Sequence, residues 1–264
     1  MSDAVKLSVE AGVATLTLNR PQAMNALNAE MVAGINDALE RVEHDPEVRV
    51  LVITGGGNGF MAGGDIKYFT ALTTLSPLER RIQFERFVQT VHPMILRLRR
   101  MPQPVIAQVH GACAGFGMSL MMACDLAIAA DDAIFTLAYI HLGVSPDGGS
   151  TYFLPRQVGA KRAMEIALLG DRFDAAKASQ WGLINEAVPF TELQPRVAAL
   201  ARRLAQGPQT ALAATKRLIG DSFGRSLEAE LQAEAEAFAG CAATGDFTEA
   251  VAAFIAKRAP CFTG

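Results

Sequence analysis

Two glycine-rich segments carry the residue types best suited to holding a developing negative charge. Phe60-Met61-Ala62-Gly63-Gly64-Asp65-Ile66 and Gly111-Ala112-Cys113-Ala114-Gly115-Phe116-Gly117 each follow a strongly apolar run and lead into a helical pattern. Glycine lets the backbone approach a ligand closely and take dihedrals closed to other residues. Amide N–H groups left free at such loop–helix junctions can bind an oxyanion. For either loop alone, tight packing is the better explanation. A further run, Gly57-Asn58-Gly59-Phe60-Met61-Ala62, fits the G-x-G-x-x-A spacing of dinucleotide-binding turns. No helix pattern opens at Gly59, and Ile82 stands where an acidic residue would hold a ribose, so a flexible turn explains it better.

Metal chemistry has no visible site. The four histidines (His44, His92, His110, His141) are too far apart for a zinc helix, and the four cysteines (Cys113, Cys124, Cys241, Cys261) form no C-x-x-C pair. Apolar surroundings such as L-M-M-A-C-D at Cys124 suggest reduced, mostly buried thiols and a cytoplasmic protein. The chain has 264 residues, 50% hydrophobic and 19% charged, with a formal charge of −3. That composition specifies a large core, and a pI near 5.8 argues against nucleic acid as a partner. The N-terminus lacks a basic segment followed by an apolar one, so no secretory signal is expected. Met101 to Cys124 is uncharged, but its two prolines, His110 and three glycines suit a buried strand, loop and helix better than a membrane span.

The elements that must position the loops follow from periodicity. Val5 to Leu18 reads as two strands around Ala11-Gly12, and Asn28 as the cap of a helix with Met31, Val32, Ile35, Leu39 and Val42 on its apolar side. V-R-V-L-V-I-T is a buried strand, and Pro77 to Arg100 is helical with an expected break at Pro93 and a stripe of Phe84, Val88, Val91, Ile95 and Leu98. P-V-I-A-Q-V and D-L-A-I-A-A are further strands. The first half thus repeats strand, glycine loop, helix, an α/β pattern with chemistry expected in the loops at strand C-termini. After Gly159 the chain turns mostly helical, and Asp246 with Glu249 resembles a capping box for the last helix. Gln206-Gly207-Pro208 marks a boundary between a core, residues 1–205, and a helical region, residues 206–264.

Several motifs together resemble the crotonase (enoyl-CoA hydratase/isomerase) superfamily. They are L-N-R-P-Q-A-M-N-A-L-N from Leu18, F-M-A-G-G-D-I-K from Phe60 and P-V-I-A-Q-V-H-G-A-C-A-G-F-G-M-S-L from Pro104. Others are Leu142-Gly143 with Pro146-Asp147-Gly148-Gly149, Leu154-Pro155-Arg156, Trp181-Gly182-Leu183-Ile184, and Phe254 with Lys257-Arg258 and Pro260. The likeness runs the length of the chain in order. It implies a spiral of ββα units with a helical C-terminal trimerisation region, a homotrimer or dimer of trimers, and an acyl-CoA substrate with no separate cofactor. By motif position, the amides of Gly64 and Phe116 would hold the thioester oxygen as an enolate forms. Coenzyme A would lie near Met24, Ala26, Ala62, Asp65 and Ile66. Lys257 of a neighbouring subunit would approach its phosphates, although a cation there also suits an ordinary helix C-terminus.

The departures from that pattern set the expected chemistry. Hydratases of the family use two glutamates, and the aligned positions hold Ser119 and Tyr139. Ser119 reads as a small packing residue and Tyr139 as a pocket lining. Asp147 remains, in a P-D-G-G sequence that is also a ready turn. In related isomerases an aspartate here moves the proton; in CoA-ester dehalogenases it is a nucleophile, with a histidine about where His92 lies. The favoured expectation is an isomerase with Asp147 as the single proton shuttle, in a pocket walled by Phe69, Leu72, Leu142 and Phe153. The alternatives are a hydratase with a rearranged acid/base set, a dehalogenase or thioesterase using Asp147 with His92, and a non-catalytic CoA-binding protein.

Overall fold

The computed structural model describes residues 3–264. The chain opens with a hairpin of β1 (Val5–Glu10) and β2 (Val13–Leu18), turning at Ala11 (φ 49°) and Gly12 (φ 78°). Two left-handed residues match the twist of paired strands. Helix α1 (Ala29–His44) follows, with the Asn28 side chain accepting from the Met31 amide at 2.9 Å and the expected apolar stripe buried.

Three strand–strand–helix turns come next. They are β3 (Val50–Gly55), β4 (Gly59–Met61), α2 (Ile66–Leu72) and α3 (Pro77–Arg100); β5 (Val105–Val109), β6 (Ala112–Ala114) and α4 (Phe116–Ala123); then β7 (Leu126–Ala130), β8 (Ile134–Thr136), a 3-10 turn (Tyr139–Leu142), α5 (Ser150–Val158) and α6 (Ala160–Leu169). The core closes with β9 (Phe173–Asp174), α7 (Ala175–Gln180), β10 (Glu186–Val188) and α8 (Phe190–Ala205). The helical region is α9 (Gln209–Ser222), α10 (Leu227–Ala242) and α11 (Gly245–Ile255).

Long strands form one sheet, β1-β2-β3-β5-β7-β10, parallel from β2 onward. Short strands form a second, β4-β6-β8-β9. Each turn hands its chain from the first sheet to the second, so the loops after β4, β6 and β8 stack along one edge. The central strands of the first sheet, β3, β5 and β7, are buried on both faces. Leu51, Ile53, Val105 and Ala107 join the main core, whereas Val50, Val52, Ile106 and Ile128 meet Leu193, Val197 and Ala201 of α8. Two-sided burial explains why these strands read as unbroken apolar runs.

Three local expectations are corrected. Helix α3 runs through Pro93, because the exposed proline sits opposite a buried stripe of Phe87, Val91, Met94, Ile95 and Leu98. Packing on both sides outweighs the roughly 3 kcal/mol that an interior proline costs. Helix α11 is capped by Thr244, whose Oγ1 accepts from the Phe247 amide, and not by Asp246. Asp246 is buried and takes the Thr263 amide at 2.9 Å, while Glu249 pairs with Arg258. Of the thiols, Cys113 and Cys124 are buried, but Cys241 is half-buried and Cys261 exposed.

The helical region is tied to the core by charge. Lys216 Nζ, from α9, meets Asp125 Oδ2 at 2.7 Å and the Gln103 carbonyl at 2.8 Å. Many of its apolar side chains are exposed, including Phe223, Leu227, Phe238, Phe254 and Ile255. Among the described residues no helix is long and apolar enough to cross a membrane.

Candidate active site

The site begins where β4 and β6 end side by side. Leu27 bridges the first loop, its amide donating to Gly63 O at 2.7 Å and its carbonyl accepting from Asp65 N at 3.0 Å. Extended pairing on both sides of Gly64 turns the Gly64 N–H away from Leu27. In the second loop Gly115 precedes α4, so Phe116 is the first helical residue and its N–H has no partner in the helix. Among the described residues neither amide meets a protein acceptor.

Glycine brings the two loops together. A Cβ on Gly63 would lie 3.2 Å from Ala114 O and 3.5 Å from Phe116 N, and one on Gly115 would lie 3.4 Å from Gly63 Cα. The main chains are in contact, and two free donors beside a helix N-terminus can serve one developing oxyanion. The Phe69 ring, from α2, covers the α-carbon of Gly64 and packs edge-on against Phe84 at 5.1 Å.

The loop after β8 supplies a partly buried carboxylate, Asp147. Gly148 (φ 60°) fits so closely that a Cβ there would lie 2.6 Å from the Phe116 ring and 2.9 Å from Ser119 Cβ. Asp147 is thereby held against the first turn of α4. Its Oδ1 accepts from the Tyr139 hydroxyl at 2.5 Å. Its main-chain carbonyl lies 3.0 Å from Ser119 Oγ and 2.8 Å from Ser150 Oγ. Burial pushes the Asp147 carboxyl above the ordinary range, opposed by the Tyr139 hydrogen bond and then by the charge of His92. Burial, followed by the Asp147 charge, also pushes the Tyr139 phenol up, so it stays protonated and donates.

The fold therefore assembles Gly64, Phe116, Ser119, Tyr139 and Asp147. Exposed His92 lies on α3, near enough for its charge to reach Asp147 but without a hydrogen bond to it. Of the expected pocket walls, Phe69 lies over Gly64 and Phe153 over Gly149, whereas Leu142 is exposed. The residues expected near coenzyme A cluster beside Gly64: the Met24 carbonyl accepts from Ala62 N at 3.0 Å, and Ile66 is exposed. Asp65 does something else with its side chain. Oδ1 caps α2 by accepting from Lys67 N at 3.0 Å, and Oδ2 pairs with Arg20 at 2.9 Å. Lys257 is exposed just past α11, and its side chain makes no hydrogen bond or ion pair among the described residues.

Periodicity missed the polar staples. Asn25 is fully buried at φ 56°. Its Nδ2 donates to the carbonyls of Gly56, Gly59 and Phe60, and its Oδ1 accepts from Arg20 N. The available signal was an asparagine, which tolerates left-handed backbone, inside an otherwise apolar turn. Ser150 gave only the ordinary signature of a helix start.

The enoyl-CoA hydratase/isomerase family profile matches residues 8–264. The chain is 39% identical over 264 residues to 1,2-epoxyphenylacetyl-CoA isomerase of Escherichia coli K12, covering 100% of both. It is 38% identical over 253 residues to crotonyl-CoA hydratase of Syntrophomonas wolfei, covering 96% of this chain and 95% of that one. The crystal structure of an enoyl-CoA hydratase from Polaromonas sp. JS666 superimposes with a TM-score of 0.92 at 34% identity, covering 98% and 99% of the two chains. The ββα units, the helical C-terminal region and this agreement in sequence and shape make the chain a member of the enoyl-CoA hydratase/isomerase family.

Proposed function

We propose that the protein is an acyl-CoA isomerase in which Asp147 is the only acid–base group. The observation that carries this reading is a single carboxylate near the Gly64 and Phe116 amides that is not tied up in an ion pair, Asp147, with hydroxyls at positions 119 and 139. The thioester oxygen sits between the two N–H groups. Asp147 removes a proton alpha or gamma to the carbonyl, and the electrons move onto the thioester oxygen as an enolate. The donors are already oriented, so charge develops without reorganisation. Asp147 then returns the proton at the other carbon of the allylic system. One base completes this shift, whereas adding water requires a second group to deliver or accept a proton. A carboxyl raised by desolvation is a stronger base and a better matched acid.

The isomerase named among the relatives supports the reading, and the crotonyl-CoA hydratase keeps hydration as the outcome to exclude. The coenzyme lies along Met24, Ala26, Ala62 and Ile66, with Asp65 offering main chain only. Lys257 of a neighbouring copy meets its phosphates, in a homotrimer or pair of trimers that covers the apolar side chains of α9–α11. The four free thiols suit a reducing, cytoplasmic setting. The experiment is a panel of conjugated and unconjugated enoyl-CoA esters assayed side by side for isomerisation and hydration. Isomerisation faster than hydration supports the reading; hydration as the dominant reaction overturns it.

A further inference from the structure

Three hydroxyls stand behind the Asp147 carboxylate, and the proposed proton shuttle passes through none of them. Tyr139 OH is 2.5 Å from Asp147 Oδ1, and Ser119 Oγ is 3.2 Å from the Tyr139 oxygen and 2.5 Å from Ser150 Oγ. The three come from different elements: the 3-10 turn, the buried face of α4 and the first residue of α5.

Counting protons fixes their directions. An ionised carboxylate has none to give, so Tyr139 donates to Oδ1. The Tyr139 oxygen then accepts from Ser119. With the Ser119 proton committed there, Ser150 donates to Ser119 Oγ, 2.5 Å away. The hydroxyl dipoles point along the chain toward the carboxylate, and such chains reinforce one another. Oδ2 has no hydrogen-bond partner among the described residues.

We propose that Tyr139 is the positioning residue for Asp147: it holds Oδ1 so that Oδ2 meets the substrate proton, and it keeps the carboxylate ionised in a desolvated site. The assignment rests on Asp147 being the base. Tyr139 itself is no proton carrier, since its phenol is pushed up beyond the working range. Around Asp147, α3 contributes the charge of His92, the 3-10 turn contributes Tyr139, and α4 and α5 contribute the non-titrating Ser119 and Ser150.

Tyr139→Phe keeps the ring and deletes the donor. A hydrogen bond to the charged form lowers a carboxyl pKa, so its loss raises it. The acid limb of kcat/KM against pH then moves to higher pH by about one unit, a roughly tenfold change in proton affinity, with KM for the ester little changed. In an Asp147→Asn background, Tyr139→Phe has no further effect on turnover. Ser119→Ala, one link back, moves the limb the same way by less, and serves if Tyr139→Phe does not fold. A uniform fall in kcat with the limb unmoved, in whichever of the two variants folds, overturns the proposal. If Asp147→Asn remains active, the base assignment itself fails. If Asp147→Asn is inactive while the limb stays put, only the role of Tyr139 fails.

Discussion

Asp65 follows the Gly64 amide in sequence, and Asp147 is pressed against the helical turn that carries Phe116. Burial works against the charge of each, yet the outcomes are opposite. Asp65 faces the Arg20 guanidinium and the Lys67 amide, which outweigh desolvation and hold its carboxyl below the ordinary range. Asp147 faces a neutral phenol and a more distant histidine, which do not, and its carboxyl is raised. Both oxygens of Asp65 are engaged within the protein; Asp147 keeps one free. An aspartate whose oxygens are all committed fastens a loop, whereas one left with a free oxygen in a desolvated site can carry a proton. The nature of the partner, not closeness to the two free amides, separates the two.

The largest test of that contrast is at Asp147. Asp147→Asn keeps the shape and the acceptor for Tyr139 but cannot move a proton, so turnover falls by about 10²–10⁴ while affinity for a CoA ester barely changes. Steady-state kinetics with a binding titration reads both. Asp65→Asn gives the reverse: turnover in the folded enzyme stays within a few-fold, and the protein loses about 1–3 kcal/mol of stability, seen as a Tm lower by several degrees.

Next is the proposed oxyanion donor. Gly64→Pro removes the N–H, and loss of one such donor costs about 10²–10³ in turnover. Any side chain at this position also meets the Phe69 ring, so Gly64→Ala is the control that shares the clash and keeps the donor. Equal activity in the two variants would mean that the Gly64 amide holds no substrate oxygen.

The pH dependence of stability separates the aspartates by sign. Asp65, lowered on folding, contributes stability that is present above the ordinary carboxylate pKa and lost as pH falls toward its folded value. Asp147, raised on folding, binds its proton more tightly in the native state, so stability falls as pH rises from the ordinary carboxylate pKa through its higher folded value. Melting curves across the acidic range should show Asp147→Asn at or above wild type near neutral pH and Asp65→Asn below it. The smallest effect is at Lys257: Lys257→Ala raises KM a few-fold without changing kcat, if a neighbouring copy uses it on the coenzyme. Light scattering that finds a 28.1 kDa monomer removes that role and the oligomer together.

Much of the fold was legible in the sequence because burial is periodic. The stripe on α1 and the doubly buried strands β3, β5 and β7 read directly as patterns of apolar residues. Both glycine loops were legible because close main-chain approach leaves a composition signal. What pattern cannot carry is choice of partner. Asp246 and Glu249 have capping-box spacing, but the Thr263 amide of the C-terminal segment claims one and Arg258 the other. Pro93 breaks helices locally and not here, because the buried stripe continues on both sides of it. Tyr139 and Ser119 were visible only as missing glutamates; that their hydroxyls converge on Asp147 depends on α4, α5 and the 3-10 turn packing in three dimensions.

The central claim, a single aspartate that moves a substrate proton while two amides hold the enolate, is tested most directly by proton exchange. A saturated acyl-CoA is incubated with enzyme in deuterated water, and deuterium at the carbon next to the thioester is followed by mass spectrometry. Wild-type protein and Ser119→Ala should incorporate label, and Asp147→Asn should not, while still binding the ester. Incorporation by Asp147→Asn at the wild-type rate would show that another group takes the proton.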